Sequence, residues 1–200
     1  MVAITAVAKR SPSILSEAAA LPLDRSVVKG LLDPQDARDT RFAIALAHSL
    51  QSLPPGERRG ALAGITGHVA ESAIEVIFEG LGWLPVWHFR GPGRHGVDLL
   101  LLGPGAERMF AFEVKGTLRA GYWPRLRGGL VAQMDVAWLD KIDNPGMRDW
   151  GLASEDVYGG IALINFHDLA YKVALTSDFE SWHPIAGLNN LEQLAWMDSA

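Results

Sequence analysis

Cysteine is absent from the 200 residues of this chain. That excludes a disulfide framework and any thiolate metal site, so a bound metal must take carboxylate, imidazole or backbone-oxygen ligands. Surplus positive charge is also missing. A formal net charge of -5 argues against a strongly basic, non-specific nucleic-acid coat, although it leaves room for a local basic groove. The uninterrupted apolar run at the N-terminus falls well short of the roughly 20 residues that cross a bilayer. In MVAITAVAKRSPS the basic residues follow the apolar ones, the reverse of a secretory signal. The expectation is a cytoplasmic protein with no membrane partner. Phosphate-loop and hydrolase-elbow motifs are absent: GITGH is not a Walker sequence and no GxSxG occurs. GPGRHG and GPGAER are glycine-rich but lack the strand-loop-helix context of dinucleotide binding. There is no internal repeat and no low-complexity segment.

What is present is an ordinary folded composition, 48% hydrophobic and 20% charged, long enough for one domain with a sizeable core. Residues 1–59 read as a helical extension, with a start at Asp33-Pro34, the run ARDTRFAIALAHSLQSL and a stop at Pro54-Pro55-Gly56. A core over 60–176 follows. A helix is predicted from about Gly60 to Glu79, with an apolar stripe of Ile65, Val69, Ile74, Ile77 and Phe78. Three strands come next, LPVWHFR, GVDLLLLG and MFAFEVKG, the last two joined as an antiparallel hairpin through GPGAER. LVAQMDVAWLDKI reads as a helix, with Val131, Met134 and Trp138 at i, i+3 and i+7, and IALINF and YKVALT as two further strands. Residues 177–200 form a tail with a short helix near 188–197. The fold class is mixed α/β.

The hairpin raises a chemical question, because its apolar strands carry three charges. Alternation puts Glu113 and Lys115 on one face of their strand. Asp98 opens the neighbouring strand, and an antiparallel pairing brings it beside them. Two carboxylates and an ammonium at one sheet end suit metal-assisted hydrolysis of a phosphodiester. Oxygen ligands suit Mg²⁺, with Mn²⁺ as an alternative. Such an ion lowers the pKa of a bound water, while a lysine orients that water or stabilises developing charge.

Asp98, fourteen intervening residues and then Glu113-Val114-Lys115, together with the helix-strand-strand-strand-helix-strand order, resemble the PD-(D/E)XK superfamily of restriction endonucleases, junction resolvases and nuclease toxins. The resemblance covers about half the chain, and Val97 stands where many members have proline. It implies a restriction endonuclease-like αβββαβ core, a mixed central sheet flanked by helices. It also implies a Mg²⁺-dependent endonuclease in which Asp98 and Glu113 are metal ligands and Lys115 is catalytic. Glu71 matches the first-helix glutamate that completes the metal shell in many members, with Glu75 one turn further on as a weaker candidate. Gln133 matches the helix glutamine of some branches.

DNA is the expected partner. Between Gly116 and Met134 the chain carries Arg119, Arg125 and Arg127 with no acidic residue, and Tyr122 and Trp123 are interleaved. Arginines hold phosphates and aromatic rings stack on bases. Arg94, His95 and Thr117 flank the motif and join the nucleic-acid-binding set. His68 lies one turn before Glu71, whereas His48, His88, His167 and His183 have no assignable partners, and no His-based metal spacing is found. Two other readings stand beside the DNA nuclease: an RNA-cleaving toxin-type enzyme of the same fold, and a nuclease-like binding or assembly module without turnover. A homodimer or partner protein is expected through the N-terminal helices.

Overall fold

In the computed structural model, residues 20–23, 53–88, 96–105, 108–124, 134–141, 144–179 and 182–185 are described. Helix α1 spans Pro55–Gly80 and begins on a proline, whose missing N–H is one of the orphan donors of a first turn. It stops where Gly82 adopts a φ of 84° and Trp83 donates its N–H back to the carbonyl of Phe78. Its buried positions are Ala70, Ala73, Ile74 and Phe78. The buried seam therefore leads with alanines, and Ile65 and Val69 of the expected stripe are only partly covered. The small side chains let the helix axis come close to the sheet. By length and composition α1 is apolar enough to cross a membrane, but in this fold its Ala70–Phe78 face belongs to the core.

The strands are β1 (Leu21–Pro22), β2 (Leu84–His88), β3 (Leu99–Leu102), β4 (Met109–Thr117), β5 (Val157–Asn165), β6 (Ala170–Thr176) and β7 (His183–Ile185). They form a seven-stranded sheet ordered β1-β6-β5-β4-β3-β2, with β7 also paired to β6. All pairings are antiparallel except β4 with β5, so the sheet is mixed and the chain is α/β. The crossover from β4 to the parallel β5 contains helices α2 (Val136–Lys141) and α3 (Pro145–Asp149), as a parallel connection requires. The hairpin expected from GPGAER is present as β3–β4, with Leu99 opposite Phe112 and Leu102 opposite Met109.

Four expectations differ from the structure. Leu21–Pro22, within the segment read as a helical extension, pairs with Tyr171 and Ala170 at the sheet edge, and His183–Ile185 in the tail is a strand. The predicted helix over 130–142 begins, among the described residues, only at Val136. Met134 has a φ of 63°, outside the helical region, and the Asp135 carboxylate accepts from Trp138 N at 2.6 Å in the manner of an N-cap. The helix expected from about Gly60 starts at Pro55, inside the Pro54-Pro55-Gly56 stop read from the sequence, because proline suits a first helical turn. Residues 125–133, residues 1–19 and 24–52 of the extension and the helix expected near 188–197 lie outside the described residues.

Strand alternation divides the core. Phe110, Phe112 and Val114 of β4 face α1, with Ile74, Phe78 and Trp83. Ala111 faces the other side, with Trp138 and Leu139 of α2 and Met147 of α3. Phe78, Trp83, Phe110 and Phe112 meet edge to face with centroids 4.6–5.0 Å apart, a geometry that adds to their area burial. Two glycines set the closeness of these layers. A Cβ on Gly116 would lie 2.8 Å from both the Ala70 methyl and the Thr66 carbonyl oxygen, and one on Gly160 would lie 2.4–2.5 Å from the Phe112 ring.

Gly116→Ala is therefore expected to force α1 away from β4 and to cost about 1–3 kcal/mol of stability. Urea unfolding of the two proteins checks this, with a wild-type midpoint in the variant as the contrary result.

Candidate active site

The site is built at the rim where β3 begins and the second half of β4 runs. The β3–β4 ladder ends at Leu99 opposite Phe112, and Asp98 lies one residue beyond it. Asp98 is locked on by its backbone N–H, which donates to Phe112 O at 2.8 Å, and by its Oδ2, which accepts from Val114 N at 2.7 Å. Glu113 is 2% exposed and pairs through Oε1 with the ammonium of Lys115, two residues along the same face. A buried carboxylate is tolerated because it has that partner.

Glu71 arrives from the other layer. It follows Ala70, whose methyl group abuts Gly116, so the close α1–β4 contact carries it to the same rim. Its charge acts on both Asp98 and Lys115. Asp98, Glu113 and Lys115 are thus brought together at the hairpin rim, while Glu71 acts on them through its charge and has its ligand-distance neighbours in His68 and His88.

The cluster is crowded with negative charge. Burial, then the neighbouring Glu113 carboxylate and more weakly Glu71, push the Asp98 pKa up to about 8, against the opposing pull of Lys115 and the Val114 N–H. For Lys115, burial disfavours the ammonium, but Glu113, Asp98 and Glu71 outweigh it and hold its pKa above the usual lysine value. Asp98 and Glu113 are the two oxygen donors beside the Lys115 ammonium, and carboxylate oxygens of this kind could hold a hard cation.

Sequence reasoning missed His88. Its side chain is 5% exposed and its two ring nitrogens face two glutamates, Nδ1 to Glu75 Oε2 at 2.6 Å and Nε2 to Glu71 Oε2 at 3.4 Å. His68 Nδ1 lies 3.8 Å from the same Glu71 oxygen. Burial lowers the basicity of His88, but Glu71 and Glu75 override it and raise its pKa to about 9. Glu71 is held below the ordinary glutamate value, burial being outweighed by His68 and His88. No local signal revealed this arrangement. A bulge between Pro85 and Trp87 inserts Val86 as an extra residue. Simple alternation would have put His88 on the Val86 side, away from α1. The bulge turns it to the α1 face opposite Leu99, a common way to re-aim a side chain.

The expected nucleic-acid contacts divide. Arg94, His95, Arg125, Arg127 and Gln133 lie outside the described residues. Thr117 is buried at the end of β4, where its Oγ1 accepts from Arg119 N at 3.1 Å and closes the turn. Arg119 and Tyr122 are exposed and stack on each other, with the guanidinium 5.4 Å from the ring centroid. Asn165, at the end of β5 and also unanticipated, donates to the carbonyls of Arg119 and Tyr122 at 3.2 and 3.0 Å. Trp123 turns inward, with Lys172 Nζ 4.5 Å from its centroid.

The His88 pair has a pH consequence. Its folded pKa near 9 exceeds the ordinary histidine value of 6.5, so the folded state binds the extra proton and stability falls as pH rises between those values. The stabilisation is fully present below about 6.5 and lost through about 9, and it amounts to on the order of 3 kcal/mol. His88→Gln is expected to flatten this part of the wild-type stability profile. Denaturant midpoints measured across the interval check it, and an unchanged slope in the variant would contradict the pairing.

Comparison with protein-family models, with curated proteins and with solved structures finds no match to this chain. The functional reading therefore stands on the chemistry of the site itself.

Proposed function

We propose that the protein is a Mg²⁺-dependent endonuclease of the restriction endonuclease-like fold, acting on DNA. One observation carries the reading: the Asp98 carboxylate, held by the Val114 N–H, stands beside the Glu113–Lys115 pair at the rim of the β3–β4 hairpin, within electrostatic reach of Glu71 on α1. It is supported by the order of helix, three strands, crossover helices and parallel strand. It is also supported by the location of the cluster towards the C-terminal ends of the parallel β4 and β5, where open α/β sheets bind ligands.

Asp98 and Glu113 would hold the metal, with Glu71 as a third or water-mediated ligand. Bound there, the ion would polarise a phosphate oxygen and acidify a water. The chain's own contribution is positional and electrostatic. Glu113 fixes the Lys115 ammonium, which donates to an attacking water or offsets charge growing on the phosphate. The Val114 N–H holds the Asp98 carboxylate at the rim. His88 holds Glu71 from behind. The Arg119–Tyr122 turn, anchored by Asn165 beyond the end of β4, offers a guanidinium for backbone phosphates and a ring for a base.

Asp98→Asn, Glu113→Gln and Lys115→Ala are each expected to lower cleavage by about 100-fold or more with folding retained. The assay uses purified protein with Mg²⁺, with and without chelator, on supercoiled, linear, branched and single-stranded DNA and on RNA. Full activity in the three variants refutes the site, and cleavage confined to RNA moves the substrate to the second nucleic acid. Mg²⁺ or Mn²⁺ is further expected to raise the melting temperature of the wild type and not that of Asp98→Ala. This gain should be larger above the Asp98 pKa of about 8 than below it, because metal and proton compete for the same oxygen. An equal gain in Asp98→Ala argues that the cation binds elsewhere.

A further inference from the structure

His68, Glu71 and His88 offer ligand atoms that all lie within 4.8 Å of one another, although they come from one turn of α1 and the end of β2. From this geometry we infer a second cation site, selective for a first-row divalent transition ion of the Zn²⁺ type, built by the two imidazoles and Glu71 and distinct from the oxygen-rich pair Asp98 and Glu113. The inference goes beyond the nuclease reading and does not require it, since the donors are defined without Asp98, Glu113 or Lys115.

Three features carry it. The first is spacing. Metal–nitrogen and metal–oxygen bonds of about 2.0–2.2 Å put neighbouring ligand atoms of a tetrahedral ion roughly 3.3–3.5 Å apart. Glu71 Oε2 and His88 Nε2 are 3.4 Å apart. His68 Nδ1 is 3.8 Å from Glu71 Oε2, and its side chain is 40% exposed, so a small ring rotation closes the gap. The two imidazole centroids are only 5.8 Å apart.

The second is the outer shell. Ligating histidines nearly always give their other ring N–H to a carboxylate or carbonyl, which sets the tautomer and orients the ring. His88 has that arrangement: Nδ1 meets Glu75 Oε2 at 2.6 Å while Nε2 points at Glu71 and the His68 side. When the ion binds, the Nε2 proton passes to solvent and the lone pair turns to the metal.

The third is selectivity. Two imidazoles and one carboxylate are the donor set of zinc sites that keep an open position, whereas Mg²⁺ prefers oxygen. Glu71 belongs to both clusters and ties the two sites together.

The test is equilibrium dialysis of the full chain against Zn²⁺ in excess Mg²⁺, with bound metal read by atomic emission. His88 is left in place, because removing it would leave two partly buried carboxylates facing each other. The half-exposed His68 and the outer Glu75 are changed instead. His68→Asn is expected to weaken Zn²⁺ binding by more than about tenfold and Glu75→Gln by about 10- to 100-fold, with Asp98→Asn binding as wild type does. Wild-type affinity in both His68→Asn and Glu75→Gln overturns the site. So does loss of Zn²⁺ in Asp98→Asn, which would put the ion on the oxygen pair, or a wild type that retains no Zn²⁺.

Discussion

Gly116 lets α1 lie directly against β4, and the chemistry of the molecule depends on that contact. Any side chain there would meet Ala70 and the Thr66 carbonyl at about 2.8 Å, a separation that close-packed interiors do not sustain. With hydrogen at Gly116 and methyl groups at Ala70 and Ala73, a helical glutamate is delivered to a sheet rim that already carries a buried glutamate and a locked aspartate. The glycine lies one residue past the lysine of the motif, so packing and chemistry meet within a few residues of one strand.

The electrostatics follow from that geometry. Desolvation and mutual repulsion would drive the carboxylates towards protonation, and in Asp98 they do. Two cationic partners limit the effect. Lys115 neutralises Glu113 from the strand, and His88 stands between Glu71 and Glu75 from β2, on the face turned to α1. Glu71 takes part in both balances, through its charge on Asp98 and Lys115 and through its contact with His88.

The loop beyond β4 is organised from a different strand. Asn165 is fully buried and donates to the two carbonyls that shape the Arg119–Tyr122 turn, while Asp168 accepts from Gly121 N at 2.9 Å. The turn that carries Arg119 and Tyr122 is thus tied to the end of β5 and to the turn that follows it. That is the kind of rigid support a binding loop needs.

Much of this was legible in the linear chain. The β3–β4 hairpin could be read from two apolar runs and their Gly-Pro-Gly link, and the shared face of Glu113 and Lys115 from strand alternation. The placement of Asp98 beside them followed from antiparallel topology. These depend on local geometry with short periods, which sequence encodes directly. The late start of α2 at Val136 was not legible, because a positive φ at Met134 and the cap at Asp135 interrupt a pattern that is helical on paper. Nor were the edge pairings of Leu21–Pro22 and His183–Ile185, which depend on a distant strand. His88 shows the limit most clearly: its composition and spacing suggested no role, and one inserted residue in β2 reversed its face. Residue type and alternation determined which charges could meet. Only the packed fold, by setting helix height through Gly116 and strand register through the bulge, decided that Glu71 and His88 would meet, since both depend on contacts between segments that the chain order leaves unspecified.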